Sequence, residues 1–216
     1  MKGLGKRLGA ALKFIDCDTL ADVGCDHGKA GIAAIRTGRA KRVIMTDISE
    51  KSLSKARSSA EYFGIDADCR VGDGMTVLAP GEADCVLIAG MGGNEIMHIL
   101  DEGLNKCGKY VLVAHRDVPK LRVYLAERGF CLSADTVVKD GGKFYNVLAA
   151  ERGGGVVPTG AALWLGVDKP QSADREEYLE YMRAKYTAIA ERATDEPSKN
   201  AAYAVLDAVR RAKEEL

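Results

Sequence analysis

The 216-residue sequence predicts an α/β fold: a mostly parallel seven-stranded sheet that ends in an antiparallel hairpin, followed by a C-terminal helical hairpin. Three observations predict it. Between about residues 20 and 150, short apolar runs alternate with helix-compatible stretches, the pattern of a parallel sheet. The last two apolar runs are separated only by Lys139-Asp140-Gly141-Gly142-Lys143, and Asp-Gly-Gly between such runs marks a hairpin turn. From Ala173 onward the apolar spacing becomes three and four, which is helical.

Each element follows in order. Strands are predicted over 20–23, 42–46, 69–72, 83–89, 109–114, 130–138 and 144–151. Helices are predicted over 31–37, 52–63, 93–105 and 119–127, each after one of the parallel strands. Arg152-Gly153-Gly154-Gly155 and then Pro158 mark a boundary, so the expected domains are 1–155 and 156–216. In the second, Leu179, Met182, Tyr186, Ile189 and Ala193 share a helical face. Glu196-Pro197 breaks the pattern, Ser198 can cap a new start, and Ala202, Val205, Val209, Ala212 and Leu216 repeat it. Two antiparallel helices of coiled-coil type result. Residues 172–216 carry eight basic and ten acidic side chains, so this arm is no basic clamp.

The formal net charge is zero, which argues against sequence-blind polyelectrolyte binding but leaves room for a local basic patch. No apolar run reaches the length of a membrane span, and residues 1–13 lack the apolar core of a secretion signal, so a cytoplasmic protein is expected. The six cysteines contain no Cys-x-x-Cys pair and the three histidines are dispersed, so no metal site is expected and the thiols read as free. Lys2, Lys6, Arg7 and Lys13 are basic, with no acid among them, while Leu4, Leu8 and Leu12 share one helical face. Such a helix either contacts RNA phosphates or is simply solvated on its basic side.

Chemistry concentrates where the strands end. Leu20-Ala21-Asp22-Val23-Gly24-Cys25-Asp26-His27-Gly28 is a strand, a glycine turn and a helix start, the geometry that receives a nucleotide-like ligand. The three-glycine dinucleotide fingerprint is absent, and Asp22 would repel a pyrophosphate. It would instead welcome a cationic amino acid moiety such as that of S-adenosylmethionine. Asp26 lies near the same end of the donor, and His27 is either an acid–base group or a structural hydrogen bonder.

Asp47 ends the second strand, where an acid can accept both ribose hydroxyls of an adenosine or cap the next helix, with Ser49 competing for the cap. Ile48 follows it in the donor-binding set. In Gly72-Asp73-Gly74, Asp73 can bond the adenine amine and Gly74 gives the base room; an ordinary turn is the plain alternative. Ile88-Ala89-Gly90-Met91-Gly92-Gly93 ends the fourth strand, and its glycines let a flat substrate approach the donor. Met91 is a soft contact or simple packing. His115 and Arg116 follow the fifth strand at the edge where substrate should lie.

Taken together, Asp22-x-Gly24-x-Asp26-His27, Gly72-Asp73-Gly74, Ile88-Ala89-Gly90-Met91-Gly92-Gly93 and Asp140-Gly141-Gly142-Lys143-Phe144-Tyr145 resemble the bacterial tRNA adenine-22 N1-methyltransferase family. The basic opening Gly5-Lys6-Arg7-Leu8 and the C-terminal hairpin are similar as well, so the resemblance covers nearly the whole chain. It implies a Rossmann-like class I methyltransferase that uses S-adenosylmethionine to methylate N1 of a tRNA adenine. It further implies that Asp22, Gly24, Asp26 and His27 line the donor, with Asp47 at the ribose and Asp73 and Gly74 at the adenine. Ala89, Gly90 and Met91 then face the transferred methyl. Lys6, Arg7, Gly92, His115 and Arg116 are this chain's candidates for substrate binding. Where the family usually carries a Gln-Pro-Asn-like triplet, this chain has Ala114-His115-Arg116, and Asp47 stands where Glu is frequent. Either His115 and Arg116 replace the amides as donors or the substrate differs.

Adenine N1 has a free lone pair, so alignment rather than a strong base is required. Asp26 is the candidate to polarise the adenine amino group, with Met91 beside the reacting atoms. The expected partner is tRNA, with the protein a monomer or weak homodimer. The rivals are methylation of a different RNA base or a small molecule, and a non-catalytic protein that holds S-adenosylmethionine or RNA; the intact first loop and Asp47 speak against the second. A dehydrogenase is more distant.

Overall fold

The computed structural model describes residues 3–166 and 172–215. Lys2 and Leu216, both used in the sequence patterns above, lie outside the described residues. In chain order the elements are α1 (Lys6–Leu12), β1 (Cys17–Val23), α2 (Lys29–Arg36), β2 (Ala40–Asp47), α3 (Glu50–Tyr62), β3 (Ala67–Val71), β4 (Cys85–Met91), α4 (Gly93–Asp101), β5 (Lys109–Ala114), α5 (Val118–Glu127), β6 (Phe130–Asp140), β7 (Lys143–Arg152), α6 (Gly160–Leu165), α7 (Ala173–Arg192) and α8 (Glu196–Glu214).

The seven strands form one sheet in the order β3-β2-β1-β4-β5-β7-β6. All neighbours from β3 to β5 are parallel, while β7 runs antiparallel to β5 and β6. The expected architecture is therefore borne out. Apolar runs such as Val43-Ile44-Met45 are buried because helices cover both faces of a parallel sheet. One core lies under α4 and α5 and includes Ile88, Ile96, Leu121 and Phe130; another lies under α1 and α2 and includes Ile15, Leu20 and Val111. Leu4 and Leu8 pack against the latter, so the apolar stripe of α1 is a packing face.

Several boundaries shift. β1 and β2 begin earlier than predicted because Cys17 pairs with Ala40 beyond the strongly apolar centre. β4 continues through Gly90 to Met91, since an irregularity between Ala89 and Met91 lets pairing with Ala114 resume. α4 stops at Asp101, short of the predicted 105. The second C-terminal helix starts at Glu196: Asp195, not Ser198, is the cap, its Oδ1 accepting from the Ser198 amide at 2.8 Å. Pro197 sits in the first turn, where its missing N–H costs nothing.

α6 went unpredicted, and it anchors the C-terminal helices. The fully buried Arg122 of α5 makes a bidentate pair with Asp135 of β6, at 2.6 and 2.9 Å, and its Nη1 donates to the Leu163 carbonyl at 2.9 Å. The buried Arg175 of α7 donates to the Leu165 carbonyl. Around these ties, Val137, Leu165, Leu179, Met182, Val205 and Val209 form a separate core that seats α7 and α8 against the hairpin strands. The seam of α7 also buries Tyr178 and Ala190, which were not predicted on it, while Ile189, which was, is 38% exposed.

Breaking a buried ion pair from one side strands the other charge. Replacing Arg122 with Met should destabilise the protein by about 3–5 kcal/mol in urea unfolding, and adding Asp135→Leu should recover most of the loss. A single variant as stable as the parent would contradict this account of the anchor.

Candidate active site

In an open α/β sheet the crevice lies beyond the carboxyl ends of the strands, where the strand order reverses. Here that point falls between β1 and β4. The loops after β1, β2, β3 and β4 all open there, and each contributes residues singled out in the sequence.

The first loop is held by its backbone. The amides of Gly24 and Cys25 donate to the Thr46 carbonyl at 2.8 and 3.0 Å, which fastens the loop to β2. Gly24 has φ +69°, and a Cβ there would stand 2.4 Å from Met91 Cε. Met91 therefore lies directly on Gly24, closing the floor between the β1 and β4 loops. Asp26 adopts φ +50°, a left-handed conformation uncommon for a side-chain-bearing residue and tolerated best by Asn and Asp. Its amide donates to Asp47 Oδ2 at 3.0 Å, and the other oxygen of Asp47 accepts from the Ser49 amide at 2.9 Å. Ser49 caps α3 through Ser52, so Asp47 is not the helix cap. The Asp26 side chain is exposed, with Oδ1 3.6 Å from His27 Nε2, which in turn lies 3.4 Å from Lys55 Nζ.

Asp22 lies beneath the loop rather than on its open surface. It is 3% exposed, and its Oδ2 accepts from the Gly31 amide at 2.8 Å at the start of α2. Burial pushes its carboxyl up to about 6, against the opposing effect of the Gly31 N–H, and the neighbouring Asp47 charge adds to the rise. Cys25, in the same loop, has its thiol pushed up mainly by burial, so it is a poor nucleophile.

Beyond β2, Ile48 is 71% exposed, a large apolar side chain presented at the rim next to Asp47. After β3, Asp73 is exposed, its carbonyl accepts from Thr76, and Gly74 has φ +53°. The Gly74 carbonyl accepts from Thr46 Oγ1, which ties this loop to β2. After Ala89, Gly90 has φ +90° and open space where its Cβ would project.

The β4 and β5 loops form one unit. The Gly93 amide donates to the Arg116 carbonyl at 2.8 Å. Glu95 Oε2 accepts from the Gly92 amide at 2.6 Å, and its other oxygen accepts from Arg116 Nη2 at 2.6 Å. The Gly92 amide, aided by Arg116, holds the Glu95 carboxyl below its ordinary range. A Cβ on Gly92 would stand 2.4 Å from Arg116 Nε, so Gly92 is what lets Arg116 fold over this turn. Glu95 was not anticipated; a glutamate three residues after a glycine turn at a helix start is the signal that could have found it.

His115 is exposed, its ring 5.9 Å from that of Tyr145. Arg7 does not project freely: it pairs with Asp140 at 3.3 Å and stacks on Tyr145 at 5.4 Å. Lys6 is exposed. Among the described residues no group of three His, Cys, Asp or Glu side chains could hold a metal ion, and no helix is long and apolar enough to cross a membrane.

An edge with an acid after each of β1, β2 and β3 accepts hydrogen bonds from hydroxyls, amines and ammonium groups and disfavours phosphate. Comparison with known proteins places this edge in a family. Residues 4–148 match the family model described as a methyltransferase domain. The chain belongs to that family. A curated relative from Bacillus subtilis, tRNA (adenine(22)-N(1))-methyltransferase, is 33% identical over 156 residues, covering 69% of this chain and 66% of the relative. A further relative, from Mycoplasma pneumoniae, is 28% identical over 61% of this chain and 62% of its own length. These sequence matches thus span just under two thirds of the curated relatives' lengths. The solved structure of the B. subtilis M1A22 tRNA methyltransferase TrmK is 28% identical with a TM-score of 0.79, covering 99% of both chains. That of Streptococcus pneumoniae Sp1610 in complex with S-adenosyl-L-methionine is 25% identical with a TM-score of 0.84, covering 96% of this chain and 98% of the other. The resemblance read in the sequence is borne out.

The raised carboxyl of Asp22 makes stability pH-dependent. A carboxyl higher in the folded state favours the protonated form, so its full contribution is present below pH ~4 and is lost as pH rises through about 6. Measured in the ligand-free protein, the stability of Asp22→Asn relative to the parent should rise by roughly 3 kcal/mol between pH 4 and pH 7. A pH-independent difference would contradict the burial of this charge.

Proposed function

We propose that this chain is an S-adenosylmethionine-dependent methyltransferase acting on tRNA, with N1 of adenine 22 as the target, working in the cytoplasm as a monomer or weak homodimer. Residues 1–155 form the donor-binding domain and 156–216 the helical arm. The observation that carries the reading is the Asp47 carboxylate at the end of β2, fixed by the Asp26 and Ser49 amides. It retains lone pairs for the two ribose hydroxyls of an adenosine. Ile48 offers an apolar face to the adenine, and Asp73 accepts from its exocyclic amine. The first loop receives the amino acid end: Asp26 and His27 at the surface, and Asp22 acting through Gly31 from below. Open space at Gly90 and the Gly24–Met91 contact leave a shallow floor where the sulfonium and the incoming base can meet.

The donor supplies an electrophilic methyl group on sulfur. Adenine N1 supplies the lone pair, so the protein need only extrude the base and hold N1, carbon and sulfur in line. Asp26 accepts from the adenine amino group, offsetting the positive charge that develops on the ring. Ala89 and Met91 wall the reacting atoms from water, with Gly92 leaving room for the base. Held by Glu95, Arg116 lies at the substrate edge beside His115, where both provide donors in place of the family's amides. Lys6 adds a cation for the RNA backbone.

The test is transfer of labelled methyl to unmodified tRNA carrying adenine or guanine at position 22. Label on the adenine form alone is expected. Label on both would move the target to another base, and label on neither, with the donor bound, would make the chain a binding protein. The cradle has its own check: Asp47→Ala should weaken S-adenosylmethionine binding by at least about 10-fold in calorimetry, since two charge-assisted hydrogen bonds and the loop anchor are lost together.

A further inference from the structure

A second cavity, of about 380 Å³, opens where the β5–α5 turn and the β6–β7 hairpin meet the C-terminal helices. It lies outside the donor cradle. Five aromatic side chains line it: Tyr178 and Tyr181 stack with centroids 6.5 Å apart, Phe144 lies 5.3 Å from Tyr181, and Trp164 packs edge-on to Tyr186 at 6.4 Å. Tyr181 is 47% exposed, a large aromatic surface left open. Asn146 also lines the cavity. It is 4% exposed, and its Nδ2 has no hydrogen-bond partner. A buried amide without a partner is costly and calls for an occupant that supplies one. Lys143 and Lys185 stand exposed at the same cavity, and neither has a carboxylate partner among the described residues.

The register fixes how far this cavity is from the chemistry. Met91 pairs with Ala114, and Ala114 pairs with Asn146, so Asn146 is two strands from Met91 along one row. At about 4.8 Å per strand that is roughly 10 Å. The atom that takes the methyl must come within about 3–3.5 Å of the donor carbon, so a base held at the Asn146 end of the cavity is displaced from the reacting position. The shared wall at Arg116, whose carbonyl holds the Gly93 amide, makes it a neighbour of that group.

We propose that this cavity is a second nucleobase subsite, which takes an unmethylated base of the RNA next to the target. The aromatic walls stack the base, the Asn146 amide bonds its edge, and Lys143 and Lys185 face the flanking phosphates. The lining suits a flat heterocycle. The C-terminal arm thus helps build the substrate site, and the proposal rests on the reading of the chain as an RNA methyltransferase.

Trp164 is the sole tryptophan in the chain, so its fluorescence reports on this cavity alone. With the full-length protein saturated with S-adenosylhomocysteine, titration with unmodified tRNA should change the Trp164 emission saturably. Tyr181→Ala should weaken that response and raise KM for tRNA by about 10-fold, in line with the loss of one stacked base. Its kcat, S-adenosylhomocysteine affinity and melting temperature should stay those of the parent. A silent Trp164 on tRNA binding, or an unchanged KM in Tyr181→Ala, overturns the subsite while leaving the methyltransferase reading intact. A saturable Trp164 response in a protein that methylates no tRNA supports the subsite and removes the catalytic reading instead.

Discussion

The carboxylate of Asp47 is the joint on which the binding edge depends. One of its oxygens holds the Asp26 amide of the first loop and the other holds the Ser49 amide at the start of α3. Those two bonds tie together two loops from different strand–helix units, one of them at Asp26 in its left-handed conformation. Asp22 performs a matching task one strand away by holding the amide of Gly31 from below. A Cβ on Gly31 would stand 3.1 Å from that carboxylate and 2.8 Å from Val43, so the helix approaches the sheet this closely only with glycine there. The acids at the strand ends thus shape the site before they bind anything.

The rest of the edge follows from strand order. Because β1 lies between β2 and β4, the loops that follow these strands converge, and Met91 reaches across to rest on Gly24. The antiparallel β6–β7 pair then extends the sheet away from the donor side. The buried Arg122–Asp135 pair and the Leu163 carbonyl fix α6 against it, which brings Trp164 and the aromatic face of α7 to the far end of the same edge. One sheet edge accordingly carries a polar, acidic half and an aromatic, basic half.

Much of this was legible in the sequence because it rests on local signals. Alternating apolar runs and the Asp-Gly-Gly turn give the sheet and its hairpin, and an acid after each of three strands marks the cradle. What escaped has non-local causes. The burial of Asp22 depends on how closely α2 packs, and the pairings of Arg7 with Asp140 and of Arg116 with Glu95 join residues distant in sequence. A basic residue on a polar face reads as free until its partner is seen. α6 is six residues with no polar face of its own, and the buried Arg122 holds it in place by donating to the Leu163 carbonyl in its last turn. Asn146 did carry a signal: a lone amide inside the apolar run Phe144-Tyr145-Asn146-Val147-Leu148 asks for a partner.

The most direct measurement is a crystal structure of the full chain with S-adenosylhomocysteine. The account predicts both ribose hydroxyls within about 2.6–3.2 Å of Asp47, the adenine between Ile48 and Asp73, and the sulfur above the Gly24–Met91 contact, with the aromatic cavity beside Asn146 left for RNA. Electron density for the ligand in the aromatic cavity, or a ribose that does not touch Asp47, would contradict it.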